Sequence, residues 1–347
     1  MIKRVLVTGS EGYIGSVLMP MLVESMYAVT GLDALFYSEG NLTGDVCTNY
    51  GLIQKDIRDV TSDVLKGFDA VVHLAALSND PLGKLDENLT YQINYEATVQ
   101  LARNAREAGV QRFIFASSCS LYGAGEKVLT EEDEANPQTA YGKSKIMAEK
   151  EISKLAGEGF SPVYLRNATA FGISPRMRFD IVVNSLTGYA KTENVIKILG
   201  DGTPWRPLVH VKDICRAVLF CLEASEDAIH NQAFNIGRRR ENYQIKTIAE
   251  KIKRAYSECE IEIMSKNAGD TRNYKVSFEK AEKLLGFRPE YTLDAGIREM
   301  KNAYEKINLA KEQFESRLYT RIRQIEYLLS EGVIDGELRP AKVKKAV

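Results

Sequence analysis

The sequence predicts an α/β fold: a doubly wound parallel sheet followed by a smaller α/β region. Three observations carry this. Short apolar runs recur through the first half, the stretches between them are long enough for crossover helices, and the first run leads straight into a glycine-rich turn. RVLVT (4–8), AVTGLD (28–33), DAVVHLAA (69–76), RFIFASS (112–118) and PVYLRNA (162–168) read as strands. They are apolar on both faces, as strands covered by helices on both sides should be.

TVQLARNAREAGV (98–110) reads as a helix closed by Gly109, and SKIMAEKEISKLAGEG (144–159) as one closed at Gly157 or Gly159. After about residue 170 the alternation breaks. FGISPRMRF, GDGTPWRPLVHV and NIGRRRENY are rich in Gly, Pro and Arg and read as substrate-facing loops. Of Arg238, Arg239 and Arg240, at least two are expected to be solvated. From 294 to 331, Ile297, Ile307, Ala310, Phe314, Leu318, Ile322, Ile325 and Leu329 recur at three-to-four spacing. That predicts an amphipathic helix with a break near Asn308, packed on its own domain, and a frayed basic tail PAKVKKAV.

The chain has 347 residues, 44% apolar and 27% charged, with a formal net charge of −1. No global field favours nucleic acid or an anionic membrane. MIKRVLVTGS lacks the apolar core of a signal peptide, and no run approaches the roughly 18 apolar residues of a membrane span, so a cytoplasmic location is expected. Cys47, Cys119, Cys215, Cys221 and Cys259 are odd in number and scattered, which suits reduced thiols. His73, His210 and His230 are too few and dispersed for a metal site.

The chemistry-bearing motifs begin at TGSEGYIGS (8–16), where Gly9, Gly12 and Gly15 bracket Tyr13 and Ile14. Glycine permits positive φ and close approach of backbone to a pyrophosphate, and the following helix start offers N–H groups to that anion. The next strand ends in Asp33. An acid there suits the two hydroxyls of an adenosine ribose and repels a 2′-phosphate, favouring NAD over NADP in a Rossmann-type site. In QKDIRD, Asp56 and Ile57 are placed to flank the adenine. Further on, YGKSK sets Tyr141 and Lys145 four residues apart, on one face of a helix. A free phenol ionises near pH 10, and nearby positive charge from an ammonium or a nicotinamide ring lowers that. SSCSLYG (117–123) places a hydroxyl at the carboxyl end of another strand, the edge where open α/β sheets bind ligands.

TGSEGYIG, Asp33, HLAA (73–76), Asn94 in YQINYEAT, SSCSLYG and YGKSK stand in the order found in extended short-chain dehydrogenases/reductases. Over roughly residues 1–300 the chain resembles the nucleotide-sugar epimerase/dehydratase branch of that superfamily. The resemblance implies Tyr141 as acid/base, Lys145 on the nicotinamide ribose and Ser118 on a sugar hydroxyl. Leu74, Ala75 and Ala76 would line the cofactor, and Asn94 would be structural or cofactor-linked. It also implies a nucleoside-diphosphate-sugar substrate held by Thr169, by Arg206 of RPLVHVKD and by Arg272 of AGDTRNY. The implied domains are residues 1–168 plus 211–238 for NAD, 169–210 plus 239–300 for the nucleotide sugar, and a 301–347 extension. A homodimer through helices beginning near Asn94 and Tyr141 completes the expectation.

Departures from the family pattern narrow the reaction. In 4,6-dehydratases the two positions after the SxxxYG hydroxyl residue carry Asp and Glu, and decarboxylases usually carry Glu at the second; here they are Cys119 and Ser120. Cys119 reads as a small packed residue ahead of a reactive thiol. Related epimerases place Asn where Thr169 stands, and an Arg where Asn267 stands. The favoured activity is therefore an NAD-dependent nucleotide-sugar 4-epimerase working through a transient 4-keto sugar. The alternative is a C4 dehydrogenase or 4-keto-sugar reductase that stops halfway.

Overall fold

The computed structural model describes residues 2–44, 46–78, 86–265 and 272–341. Its strands are β1 (Arg4–Thr8), β2 (Ala28–Asp33), β3 (Gly51–Gln54), β4 (Ala70–His73), β5 (Arg112–Ser118), β6 (Ala124–Leu129), β7 (Ser161–Asn167), β8 (Thr169–Phe171), β9 (Val195–Leu199), β10 (Trp205–His210), β11 (Gln232–Ile236), β12 (Asn242–Gln244), β13 (Glu260–Ser265) and β14 (Asn273–Val276). Seven of them form one sheet in the order β11-β7-β5-β4-β1-β2-β3, every pair parallel. The order reverses direction at β1, the switch point where a crevice opens beyond the carboxyl ends of the strands. Three small sheets, β12-β10-β8, β13-β9 and β14-β6, lie outside the main one.

The five expected strands are all present and parallel. Val5, Leu6 and Val7 are fully buried, as are Val71 and Val72, because helices cover both faces. At about 25 cal/mol per Å² of apolar surface removed from water, this burial dominates the favourable side of folding.

Helix ends moved where local geometry overrode periodicity. The helix expected over 144–159 runs Ala140–Ser153, so it takes in Tyr141. It begins at the N-cap Thr139, whose hydroxyl accepts from the Gly142 amide, a stronger start signal than the apolar pattern. It ends early because Gly157 pairs with Phe160 in a tight bridge, leaving the glycines to a turn. The predicted 294–331 helix is instead Leu293–Lys306, then short turns at Lys311–Phe314 and Arg317–Tyr319, then Arg321–Ser330. The break does fall at Asn308, which adopts φ +49°. The region packs on the body of its own chain: Leu309, Phe314 and Tyr319 join one core, and the last helix joins another. Ile325 and Leu328 share a core with Leu6, Leu32 and Ile57 of the main sheet and its β3 turn. Pro340 still bridges back to Ile334, while residues 342–347 of the expected tail lie outside the described residues.

His73, at the end of β4, is a core residue. Its ring nitrogens meet Thr8 Oγ1 at 2.6 Å and Thr98 Oγ1 at 2.8 Å, and it stacks on Phe115. Burial, with the Lys145 charge second, drives its pKa down to about 3 from the ordinary 6.5. The folded value lies below the unfolded one, so the full stability is present above pH 6.5 and is lost as pH falls towards 3. Between pH 6.5 and 5 this residue should remove about 2 kcal/mol. Urea unfolding at several pH values should show His73→Gln with a flatter acid profile than the unaltered chain. Parallel profiles would overturn the assignment.

Candidate active site

A cavity of about 1070 Å³ opens at the carboxyl edge of the main sheet. It is large enough for more than one drug-sized ligand, since typical pockets span about 300–1,000 Å³. Gly9, Gly12, Tyr13, Ile14 and Gly15 line it from the β1 turn, and Asp33, Asp56 and Ile57 from the ends of β2 and β3. Leu74, Ala75, Ala76, Ser118, Tyr141, Lys145, Thr169, Arg206 and Arg272 line it too. Of the residues singled out from sequence, Asn94 alone stands apart. It is fully buried in a wide helical turn (Gln92–Glu96) and clasps Leu77, accepting from its amide at 2.8 Å and donating to its carbonyl at 2.9 Å. Its position is that of a strut behind the cavity wall.

The glycine turn is held by contact. Gly9 has φ +73°, and a Cβ there would stand 2.7 Å from the Ala75 amide nitrogen. A Cβ on Gly15 would fall 2.2 Å from the Gly9 carbonyl oxygen. The helix Gly15–Glu24 thus starts immediately beneath the cavity floor. Tyr13 turns its phenol into the core, donating to the Gly172 carbonyl at 2.7 Å. Asp33 accepts from the Leu35 amide at 2.7 Å and the Glu11 amide at 3.0 Å. Burial raises its carboxyl pKa against these two bonds. Burial works the same way on Asp56, but its hydrogen bonds with Arg58 win and hold its carboxyl below the usual range.

Tyr141 and Lys145 occupy the first two turns of the helix Ala140–Ser153. The Lys145 ammonium donates to the Ala116 carbonyl at 2.8 Å, and lies 4.6 Å from the Phe115 ring centre and 5.7 Å from that of Tyr141. Only 2% of Lys145 is exposed, and burial lowers its pKa to about 7 while Glu149, one turn on, opposes the shift. Ser118 Oγ accepts from the Ser120 hydroxyl at 2.8 Å. Cys119 is fully buried against the Arg166 carbonyl, and burial pushes its thiol well up, which fits the packed reading and not a reactive one. Arg206 is 5% exposed and donates to the Trp205 carbonyl at 2.8 Å and to the Arg272 carbonyl. Residues 266–271, which include Asn267 and most of AGDTRNY, lie outside the described residues. Arg239 and Arg240 are exposed, as expected, while Arg238 reaches the Pro289 carbonyl.

The sequence reading missed Arg178, Asp180 and Arg321. Arg178 grips Asp180 through Nε at 2.9 Å and Nη2 at 3.0 Å and reaches Ser78. Both line the cavity, and Tyr141 feels the Arg178 charge. In FGISPRMRFD one signal was available: two arginines and an acid on a stretch whose alternate residues, Met177 and Phe179, are buried.

Comparison with known proteins then decides the family. The model of the NAD-dependent epimerase/dehydratase family matches residues 5–237. The chain belongs to that family. Members are NAD-dependent enzymes, and the donor set here fits the cofactor: an acid at the β2 end, a glycine turn at a helix start and small apolar residues after β4. The chain is 30% identical over 306 residues to UDP-glucose 4-epimerase of Corynebacterium glutamicum, covering 83% of this chain and 92% of that one. It is 28% identical over 322 residues to mouse dTDP-D-glucose 4,6-dehydratase, covering 88% and 89%. Among solved structures, MoeE5 with UDP-glucuronic acid and NAD matches at TM-score 0.76 and 27% identity, over 87% of this chain and 99% of that one. UDP-glucuronic acid 4-epimerase of Bacillus cereus, with UDP-glucuronic acid and NAD, matches at TM-score 0.77 and 25% identity over 88% and 99%. Among the described residues no helix is long and apolar enough to cross a membrane.

Proposed function

We propose that this protein is a nucleotide-sugar 4-epimerase acting on a UDP-hexose. The observation that carries the reading is the protonation chemistry of the cavity wall. Three carboxylates line it among the described residues: Asp33 at the cofactor end, Asp56 paired with Arg58, and Asp180 paired with Arg178. Burial raises the Asp180 pKa but the Arg178 charge overrides it, so the group is held ionised. Next to Ser118, where a dehydratase needs carboxyl groups, stand a buried thiol and a hydroxyl. Elimination of water lacks its acid and base; reversible removal and return of one proton at a sugar hydroxyl does not need them.

Tyr141 takes the proton from the 4-hydroxyl and later returns it, with Ser118 orienting that hydroxyl. Lys145 supplies positive charge one turn away and a donor for the nicotinamide ribose. NAD, held by the glycine turn, Asp33 and Lys145, would supply reversible hydride transfer at C4. Arg206 and Arg272 present guanidinium groups to the substrate diphosphate, for which Arg geometry is suited. Thr169 offers a hydroxyl beside them.

The test is proton NMR of UDP-glucose, UDP-galactose and their uronic-acid forms incubated with the purified protein and no added cofactor. Interconversion at C4 in at least one pair is expected. Conversion only with stoichiometric added NAD+ or NADH would replace this reading by a net C4 dehydrogenase or reductase. A 4-keto-6-deoxy product would make the protein a dehydratase and sink the proposal.

A further inference from the structure

Arg321 belongs to a part of the chain well beyond residues 5–237 that the family model matches, yet it lines the same cavity as Gly12 and Asp33. It is 3% exposed. Its Nη2 donates to the Arg176 carbonyl at 3.1 Å and its guanidinium stacks 4.1 Å from the Tyr37 ring centre. Its Nη1 is buried with no hydrogen-bond partner, and among the described residues it forms no ion pair. A buried, always-charged guanidinium without a counter-ion costs several kcal/mol, and the nearest carboxylates are committed: Asp180 to Arg178, Asp33 to two amides. An anion is the missing partner.

The segment that carries Arg321 is fixed at both rims of the cofactor end. Arg317 pairs with Glu39 at 2.9 Å, and Gln324 donates to the Phe36 carbonyl at 3.0 Å. Further along, Arg339 pairs with Asp59, and Arg58 reaches the Leu338 carbonyl. Residues 317–339 therefore form a strap joining the loop after β2 to the turn after β3.

We infer that Arg321, carried by this C-terminal strap, donates through Nη1 to the diphosphate of bound NAD. The strap thereby builds part of the cofactor site that the Rossmann half alone does not contain. A guanidinium matches two phosphate oxygens at once, and the glycine turn lines the same cavity. The inference rests on the NAD dependence of the family and not on the reaction proposed above, so it is read by binding alone.

The experiment is calorimetric titration of cofactor-stripped protein with ADP-ribose, adenosine and UDP, for the unaltered chain, Arg321→Gln and Arg321→Lys. Arg321→Gln should weaken ADP-ribose binding at least tenfold and leave adenosine and UDP within twofold; Arg321→Lys should fall between. Equal weakening of adenosine and ADP-ribose would make the residue a structural prop. Weakened UDP with ADP-ribose unchanged would assign it to the substrate diphosphate. Either overturns the inference, as does no change at all. If both variants fail to fold, amide exchange in the unaltered chain decides. NAD must slow exchange across 317–325, and unchanged exchange there refutes the contact.

Discussion

Replacing Tyr141 by Phe is expected to lower kcat by about 10² to 10⁴, the usual contribution of a positioned general acid–base group, while NAD stays bound. The substitution removes one oxygen and keeps the ring. Tyr141 is half-buried at the first turn of its helix, and the helix start depends on Thr139, not on the phenol. Lys145 keeps its bond to the Ala116 carbonyl and its place over Phe115. What goes is the group proposed to exchange a proton with the substrate hydroxyl. The check is steady-state turnover beside the nucleotide content of the purified protein. Turnover within tenfold of the unaltered chain would remove Tyr141 from the reaction. A matching loss of bound NAD would mean that the phenol serves the cofactor rather than the proton.

The reach of sequence reasoning follows from the range of the contacts involved. Gly9, Gly12, Gly15 and Asp33 sit on β1, β2 and the turn between β1 and the first helix, so local rules find them. Tyr141 and Lys145 are one helical turn apart, and the i, i+4 rule finds them as well. Arg178 and Arg321 are brought to the cavity from stretches whose local patterns mark burial but do not say what is bound. An isolated arginine reads as surface, and only packing shows otherwise. A signal did exist for Arg321. It falls on the same helical stripe as Ile325 and Leu328, so a charge sits where the pattern asks for an apolar residue. Asn94 shows the opposite case: its motif was legible, but its bonds to Leu77 depend on a wide turn that no spacing rule anticipates. The long C-terminal helix failed because Leu309, Phe314 and Tyr319 bury themselves around corners, reproducing a helical count without a helix.

Glu149 is expected to carry the largest stability effect in the chain. It lies one turn beyond Lys145 on the helix that also bears Tyr141, is 5% exposed, and accepts from Arg166 Nη2 at 2.7 Å and Nε at 3.1 Å. The Ser117 hydroxyl donates to its other oxygen at 2.5 Å. Glu149→Leu leaves the buried Arg166 charge uncompensated, a loss of about 3–5 kcal/mol. Pairing it with Arg166→Met removes both charges and should recover most of that loss, because an apolar pair of similar volume avoids the desolvation cost altogether. Turnover should not recover with it. The Glu149 carboxylate opposes the burial that lowers the Lys145 pKa to about 7. Without it the value falls further, and Lys145 is largely neutral at pH 7. Urea unfolding reads the first effect, and NMR titration of protein labelled at the lysine ε-carbon reads the second. A double variant restored in both stability and turnover would show that Glu149 serves the core alone. One restored in stability only would place the carboxylate in the site's electrostatics, acting through Lys145.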